Sequence, residues 1–457
     1  MIHYVRLGLI PAYLLLCLLL GGASAAGYWV NMLLQLLAIP IILWALIVQR
    51  STPMAKAGRQ LMLLLFLIVL LVLVQLVPLP PSLWTVFPGR EQIADGYRML
   101  DQPLPWLPIS LSPHETISSS LWLLPAIAIL LGILQLGYFK ASWLTWVVVA
   151  VAIVSVALGA LQIMGGEASS WYFYQITNFG ASTGFFSNAN HFATLMVVTL
   201  PFLAALYLNG RGHGRSVQHS SGLFVILSGA LTVIVVGIAL NGSLAGLGLS
   251  VPVLAATLMM IFSRKKKLPA WTLPVVAVLT LGSILLAFSA PFQNNLTTKE
   301  ARTSQESRYT SFSRSLEAVQ DFAPLGSGIG TFDDIYPYYE NAARVTRVYM
   351  NHVHGDYIEI VLETGVAGFV LILLFLIWWV RRVASIWGSE DKDAFACAAT
   401  VASAAILTHS VVDYPLRTVA ISAIFAMCCA LMAEPRAKVR KSRSEPRESQ
   451  ARHLSAD

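Results

Sequence analysis

Charge is what this chain has least of. Lys, Arg, Asp and Glu make up 12% of its 457 residues and hydrophobic residues 56%, whereas ordinary soluble domains are about 25% charged. That scarcity excludes a soluble globular class. Cysteine is scarce too: Cys17, Cys397, Cys428 and Cys429 all fall inside apolar runs. A disulfide framework or cysteine metal cluster is thereby excluded, and the four behave as small hydrophobes. No polar interval the size of a soluble domain separates the apolar runs, so the chain reads as one polytopic membrane domain. The net charge of +7 sits mostly in short loops and the tail, as a topology signal and not a nucleic-acid footprint.

What is present is a series of apolar runs of about 20 residues, the length that crosses about 30 Å of hydrocarbon. Twelve are countable, at roughly 7-26, 28-48, 61-78, 119-138, 142-164, 191-209, 222-241, 245-263, 269-290, 357-380, 393-411 and 415-433. The fold class expected is all-α: a polytopic integral membrane helical bundle of about 12 transmembrane helices, with a large periplasmic loop between helices 9 and 10. The first run ends in Ala23-Ser24-Ala25, which resembles a signal-peptide cleavage site. Its basic region offers only His3 and Arg6, and a second run starts at Tyr28, so retention as a first helix is expected.

With the N-terminus inside, Arg50, Lys56, Arg59, Lys140, Arg211, Arg215, Arg264 to Lys267, Arg381, Arg382 and Lys392 share one side. The positive-inside rule makes that side the cytoplasm. Residues 1-433 then form the membrane domain, and 434-457 a basic, disordered cytoplasmic tail. The opposite side receives 79-118, 165-190, Asn241 to Leu244, 291-356 and the Asp413-Tyr414-Pro415 turn. The first of these mixes Pro, Trp and apolar residues, as a re-entrant segment or an aromatic belt at the headgroups does.

Any outward site must come from those five segments. Ionisable groups are costly in lipid and free to work at its surface, which makes the long polar interval from Pro291 to Glu363 the natural place for chemistry. At 184-193 the run Gly-Phe-Phe-Ser-Asn-Ala-Asn-His-Phe-Ala puts Asn188, Asn190 and His191 just before an apolar helix. They could grip sugar hydroxyls or phosphate oxygens, or Asn188 could simply cap the helix. Arg302, Arg308, Arg314, Arg344 and Arg347 are forked donors suited to a diphosphate; each alone is more often a surface ion-pair partner. Gly326-Ser327-Gly328-Ile329-Gly330 lacks nucleotide-loop spacing and reads as a tight glycine turn, with phosphate contacts from its N–H groups a further option.

His352-x-His354-x-Asp356 has the spacing of a metal half-site, but no second cluster supports one, and no metal or cofactor is expected. His354 is better suited to take a proton from an attacking hydroxyl, its alternative being a helix cap. Asp356, Glu359 and Glu363 share one helix face, toward a wet cavity. His409, Asp413 and Arg417 flank the turn between the last two helices and are expected to line that cavity.

These residues resemble a known family. The run at 184-193, Arg308 followed by Asp321-Phe322-Ala323-Pro324-Leu325-Gly326-Ser327-Gly328, and His354-Gly355-Asp356-Tyr357 ending in Glu363-Thr364-Gly365 look like the O-antigen ligase and polymerase superfamily over about 180-420. The resemblance implies a metal-independent glycosyltransferase of the GT-C type, with its catalytic loop at 291-356, in the bacterial inner membrane. Its substrate would be an undecaprenyl-diphosphate-linked oligosaccharide at the periplasmic face, and its acceptor a growing polysaccharide or lipid A-core.

It carries functional roles onto Arg308 and His354, leaving Asn188, Asn190, Arg314, Arg344, Asp356, His409, Asp413 and Arg417 as substrate-binding candidates. A chain-length regulator is an expected partner, nucleic acid is not. Two departures stand out. Ser243-Leu244-Ala245-Gly246 lacks the Arg common at that link, with Arg417 or Arg314 the candidate substitutes, and Gly355 stands where Asn is common. Asn-x-Asn-His-Phe-Ala and His-Ser-x-x-Asp-Tyr-Pro-Leu-Arg lean toward the exopolysaccharide and O-antigen polymerase branch over the lipid A-core ligases. The rivals are a glycan transfer to protein and, from another class, a lipid-linked sugar flippase or exporter, which would place its binding groups near the midplane.

Overall fold

The computed structural model describes residues 2–24, 27–48, 50, 53–136, 140–211, 217–263, 278–279, 281–282, 299–340 and 350–434, as backbone only at 2–6, 211, 217–220 and 299–309. Among these residues every regular element is helical; the one extended pairing is an isolated bridge between Leu79 and Leu107. The principal helices are α1 (Ile2–Leu20), α2 (Tyr28–Ile47), α3 (Lys56–Gln75), α4 (Glu91–Met99), α5 (Pro113–Leu121), α6 (Leu124–Leu136) and α7 (Ala141–Gly165). They continue as α8 (Ala189–Arg211), α9 (Val217–Asn241), α10 (Leu244–Phe262), α11 (Lys299–Phe322), α12 (Asp356–Gly388), α13 (Ala394–His409) and α14 (Val419–Ala433).

The chain is a multi-pass membrane protein. Seven helices, α2, α3, α7, α8, α9, α10 and α12, are long and apolar enough to cross a membrane, and the pair α5 and α6, bent by 40°, makes an eighth if taken as one span. The expected runs coincide with apolar helices everywhere except 269-290, which lies largely outside the described residues. Seven or eight spans is thus the count the described residues carry, not twelve. Part of the difference is length: α13 and α14 have 16 and 15 residues, short of the about 20 that span hydrocarbon.

Those two short helices form the centre. α13 packs against α8 and α14, and α14 packs against α1 and α6. Both are rich in Ala, with Cys and Ser among them, and nearly every side chain of α14 is buried. Small residues let helix backbones approach closely, which is how packing holds helices together where lipid removes the hydrophobic drive. The end of α1 is tied in as well, since Ala420 N–H donates to Gly21 O at 2.9 Å.

One interruption matters for the site. α12 breaks at Gly365 (φ 60°), where an added Cβ would lie 2.0 Å from Pro324 O. Carbonyls freed near the break need donors, and the 324–330 loop supplies them. Ser327 N–H donates to Leu362 O at 3.0 Å and Gly328 N–H to Glu363 O at 2.9 Å, while Val366 N–H reaches back to Pro324 O at 2.8 Å. The loop and the first two turns of α12 therefore hold one another in place.

Cations gather at one end of the bundle: Arg50 pairs with Glu434 at 2.9 Å, Arg382 donates to Met432 O at 2.7 Å and Lys392 to Ser263 O at 3.1 Å. The start of α12 and the link from α13 to α14 lie at the other end.

Candidate active site

Three carboxylates line the first two turns of α12. Asp356, Glu359 and Glu363 are each 1% exposed, and their spacing of three and four puts them on one face. The 410–418 link folds over that face: Asp356 N–H donates to Ser410 O at 3.0 Å, and Ser410 Oγ donates to Asp356 Oδ2 at 2.7 Å. Arg417 then reaches all three acids, with Nη2 at 3.2 Å from Glu359 Oε1 and 3.0 Å from Glu363 Oε2, and Nε at 3.8 Å from Asp356 Oδ1. Burial disfavours the guanidinium charge, but these carboxylates outweigh it and hold the Arg417 pKa above its usual range. His352 adds an imidazole, Nδ1 lying 2.8 Å from Glu359 Oε1, while Val353 N–H donates to Glu359 Oε2 at 2.9 Å.

A second buried acid, Asp413, organises the imidazoles. Its Oδ2 accepts from Asn190 Nδ2 at 2.8 Å and its Oδ1 from Tyr414 N–H at 2.9 Å. Around it stand His354 Nδ1 at 3.5 Å, His191 Nε2 at 3.8 Å and His409 Nε2 at 3.8 Å. Burial alone would raise the Asp413 pKa, yet the polar contacts of His191 and His354 prevail and hold it well below the usual carboxylate range. The Tyr414 ring fills the space between imidazoles, its centroid 5.1 Å from that of His191, 4.6 Å from His352 and 5.0 Å from His354.

Exposure divides the cluster into a floor and a rim. His191, His409 and the four carboxylates are buried, whereas the side chains of His352, His354 and Arg417 are 16%, 20% and 19% exposed. Imidazoles and a guanidinium face outward over an acidic floor. His354 also carries φ 61°, a left-handed backbone that costs a non-glycine residue roughly 1–2 kcal/mol. Such strain persists only where surrounding contacts fix it, here Asp413 and Tyr414. Phosphate or sugar oxygens could dock on the rim, and a proton could be taken up at His354 and stabilised by Asp413.

The structure brings together His354, Asn190, Asp356, His409, Asp413 and Arg417 from the sequence expectation. His409 Nδ1 lies 2.6 Å from Thr194 Oγ1, and Asn190 Oδ1 accepts from Ser243 Oγ at 2.7 Å. Asn188 instead caps α8, its Oδ1 accepting from Asn190 N–H at 2.8 Å. Arg314 stays apart, half exposed on α11 and paired with Glu317 one turn on at 2.9 Å. Arg308 lies on the described backbone of α11, one turn before Phe312, but its side chain is outside the described residues; Arg344 is wholly outside them. The glycine loop is spoken for: Gly330 N–H donates to Glu363 Oε1 at 2.8 Å and Ile329 N–H to Gln75 Oε1 at 3.2 Å. With Ser327 and Gly328 N–H on carbonyls, it braces Glu363 and leaves those amides unavailable to phosphate.

His352 and His354 face different carboxylates, so the half-site spacing does not converge. Among the described residues no group of three His, Cys, Asp or Glu is arranged to hold a metal ion. Two contributors escaped the sequence reading. Gln75 is 1% exposed at the end of α3, and its Nε2 donates to Glu363 O at 2.8 Å. Arg90 is 2% exposed and ties the 79–112 segment to the glycine loop, donating to Ile109 O and to Gly326 O. Burial lowers its pKa to about 10. The signal for each was a lone polar residue beside an apolar stretch. Gly355 has a local reason: an added Cβ would lie 2.9 Å from the Phe312 ring.

Residues 229–373 match a family model described as O-antigen ligase. The match takes in the glycine loop, both rim imidazoles and the three acids of α12, and stops before Asp413 and Arg417. No curated protein matches the chain.

Proposed function

We propose, from the similarity of residues 229–373 to the O-antigen ligase family model, that this chain is a periplasm-facing glycosyltransferase of the inner membrane. Its donor is an oligosaccharide on undecaprenyl diphosphate, and it joins such units as an O-antigen or exopolysaccharide polymerase. The observation that carries this reading is the rim: an accessible imidazole backed by a buried carboxylate, beside an accessible guanidinium. The motifs at 184-193 and 409-417 favour polymerisation; lipid A-core as acceptor is the alternative.

The reaction is displacement at an anomeric carbon. An acceptor hydroxyl oxygen forms the new bond to that carbon, the bond to the diphosphate oxygen breaks, and the hydroxyl proton passes to His354. The lipid diphosphate leaves with the bonding electrons. Two demands follow. Charge growing on the diphosphate needs fixed donors, each contributing a few kcal/mol (about 3) in a partly desolvated site. Arg417 and Arg308 take that role, the latter because its helix runs beside His354: Ser311 Oγ donates to Val353 O at 3.4 Å. General-base help from His354 contributes about 10²- to 10⁴-fold, with Asp413 stabilising the imidazolium. Because the leaving group is already competent, no cofactor is called for.

The test is purified protein given a lipid diphosphate-linked glycan. New glycosidic bonds between units support polymerisation, transfer to lipid A-core supports ligation, and glycan moved across a vesicle without new bonds supports a carrier. An His354→Ala protein that folds normally and still assembles polymer at the wild-type rate removes the base.

A further inference from the structure

Two imidazoles stand on the rim, and the reaction above uses one of them. His352 and His354 lie on either side of Val353, which is buried in one apolar cluster with Ala318, Phe322 and Leu362. The valine fixes the segment: its N–H donates to Glu359 Oε2 at 2.9 Å, and its O accepts from Ser311 Oγ at 3.4 Å. Both rings rest on Tyr414, their centroids 4.6 and 5.0 Å from its own. They therefore share one patch of the rim.

Each ring turns Nδ1 inward to a buried carboxylate. Glu359 accepts from Val353 N–H and faces Arg417, and an ionised carboxylate only accepts. The 2.8 Å bond from His352 therefore puts the ring proton on Nδ1, and in the neutral ring Nε2 keeps a lone pair for a ligand. His354 repeats the layout, with Nδ1 buried at 3.5 Å from Asp413 Oδ1. The carboxylates differ. Glu359 Oε1 is also 3.2 Å from Arg417 Nη2, whereas Asp413 takes hydrogen bonds from two neutral groups, Asn190 Nδ2 and the Tyr414 N–H. A proton added at His352 meets an acid whose charge Arg417 already balances. His352 thus suits a standing hydrogen bond, and His354 the uptake of a proton.

We propose that His352 Nε2 accepts a hydrogen bond from a second, non-reacting hydroxyl of the acceptor sugar, so that His352 sets which acceptors the site takes. The acceptor is the partner because His354, which receives its reacting proton, shares the Tyr414 patch. The proposal rests on the glycosyl transfer assigned above. A site that hydrogen-bonds a hydroxyl rejects the analogue lacking it, since the site's own polar group is then left unpaired.

Asn and Gln separate the two nitrogens of the ring. His352→Asn keeps a donor where Nδ1 meets Glu359 and loses the reach of Nε2, while His352→Gln keeps the reach. The donor is the lipid-linked glycan; the acceptor probe is the same glycan freed of its carrier, which cannot donate, with analogues each lacking one hydroxyl of the acceptor sugar. In wild-type protein the loss of one non-reacting hydroxyl should lower kcat/KM by about tenfold. His352→Asn should fall about tenfold with the intact acceptor and match wild type with that one analogue, which also reports correct folding; His352→Gln should recover part of the loss. An equal loss with every acceptor, or none with any, overturns the proposal, as does sensitivity confined to a hydroxyl of the donor sugar. Wild-type protein that transfers glycan to no acceptor instead removes the transferase reading, and the proposal with it.

Discussion

The two ends of the α12 to α14 hairpins hold their charges in opposite ways. At the Arg50 end, read as the inner one, partners are few and local: Arg50 binds Glu434 and Leu134 O, Arg382 the Met432 carbonyl and Ser385 Oγ, and Lys392 the Ser263 carbonyl. At the opposite end four carboxylates, four imidazoles and Arg417 share one network, buried except for its His352, His354 and Arg417 rim. Desolvating so many ionisable groups is expensive, and an apolar replacement of a buried ion pair often folds as well or better. The inner arrangement is what anchoring a helix end requires. The outer one exceeds that need, and ionisable groups kept at such a cost make it the candidate functional site.

Arg417→Ala tests the contrast most severely. It strands three buried acids, so about 3–5 kcal/mol of stability should go, read from unfolding in detergent, together with nearly all activity. Arg50→Ala, at a pair 15% and 24% exposed, should cost about 1 kcal/mol or less. Equal losses would erase the distinction between the ends.

Asp413→Asn comes next, with an expected fall in kcat of about ten- to a hundredfold from the loss of support to His354. Its pH behaviour has a definite sign. Because the folded pKa is held below the usual range, the stability it contributes is fully present above about pH 4 and disappears as pH falls through the folded value. The wild-type advantage over Asp413→Asn should be constant at neutral pH and shrink only below about pH 4, as melting temperatures across pH will show.

Gly355→Asn restores the residue common in the resembling family and drives Cβ into Phe312. A loss of about 1–3 kcal/mol is expected, recovered in part by adding Phe312→Leu. Arg314→Ala should do least: its pair is exposed, so stability should move by about 0.5 kcal/mol or less and activity by under about twofold. A large loss of activity there would bring α11's outer face into the site.

Much of the scaffold was legible in advance. Helix positions follow from runs of apolar residues, and the common face of Asp356, Glu359 and Glu363 follows from their spacing, because both are properties of a single helix. The turn around Asp413 was legible as a site on charge alone. Its contact with Asn190 was not, since it joins residues 223 apart through the packing of α8 against α13. Nor was the choice between Arg417 and Arg314, two guanidinium groups identical in chemistry that differ only in whether a link folds over a carboxylate face. The glycine loop shows the same limit. Its conformation was anticipated, but the N–H groups that a loop of this kind could offer to phosphate are used up by Gln75, Glu363 and the break in α12.

The chain alone determined that this protein lives in a membrane, where its helices lie and which polar residues lipid would not tolerate, because hydrophobicity and helical period are local. Only the folded bundle decided which imidazole meets which acid and which arginine meets the carboxylates, because those outcomes depend on how distant helices pack.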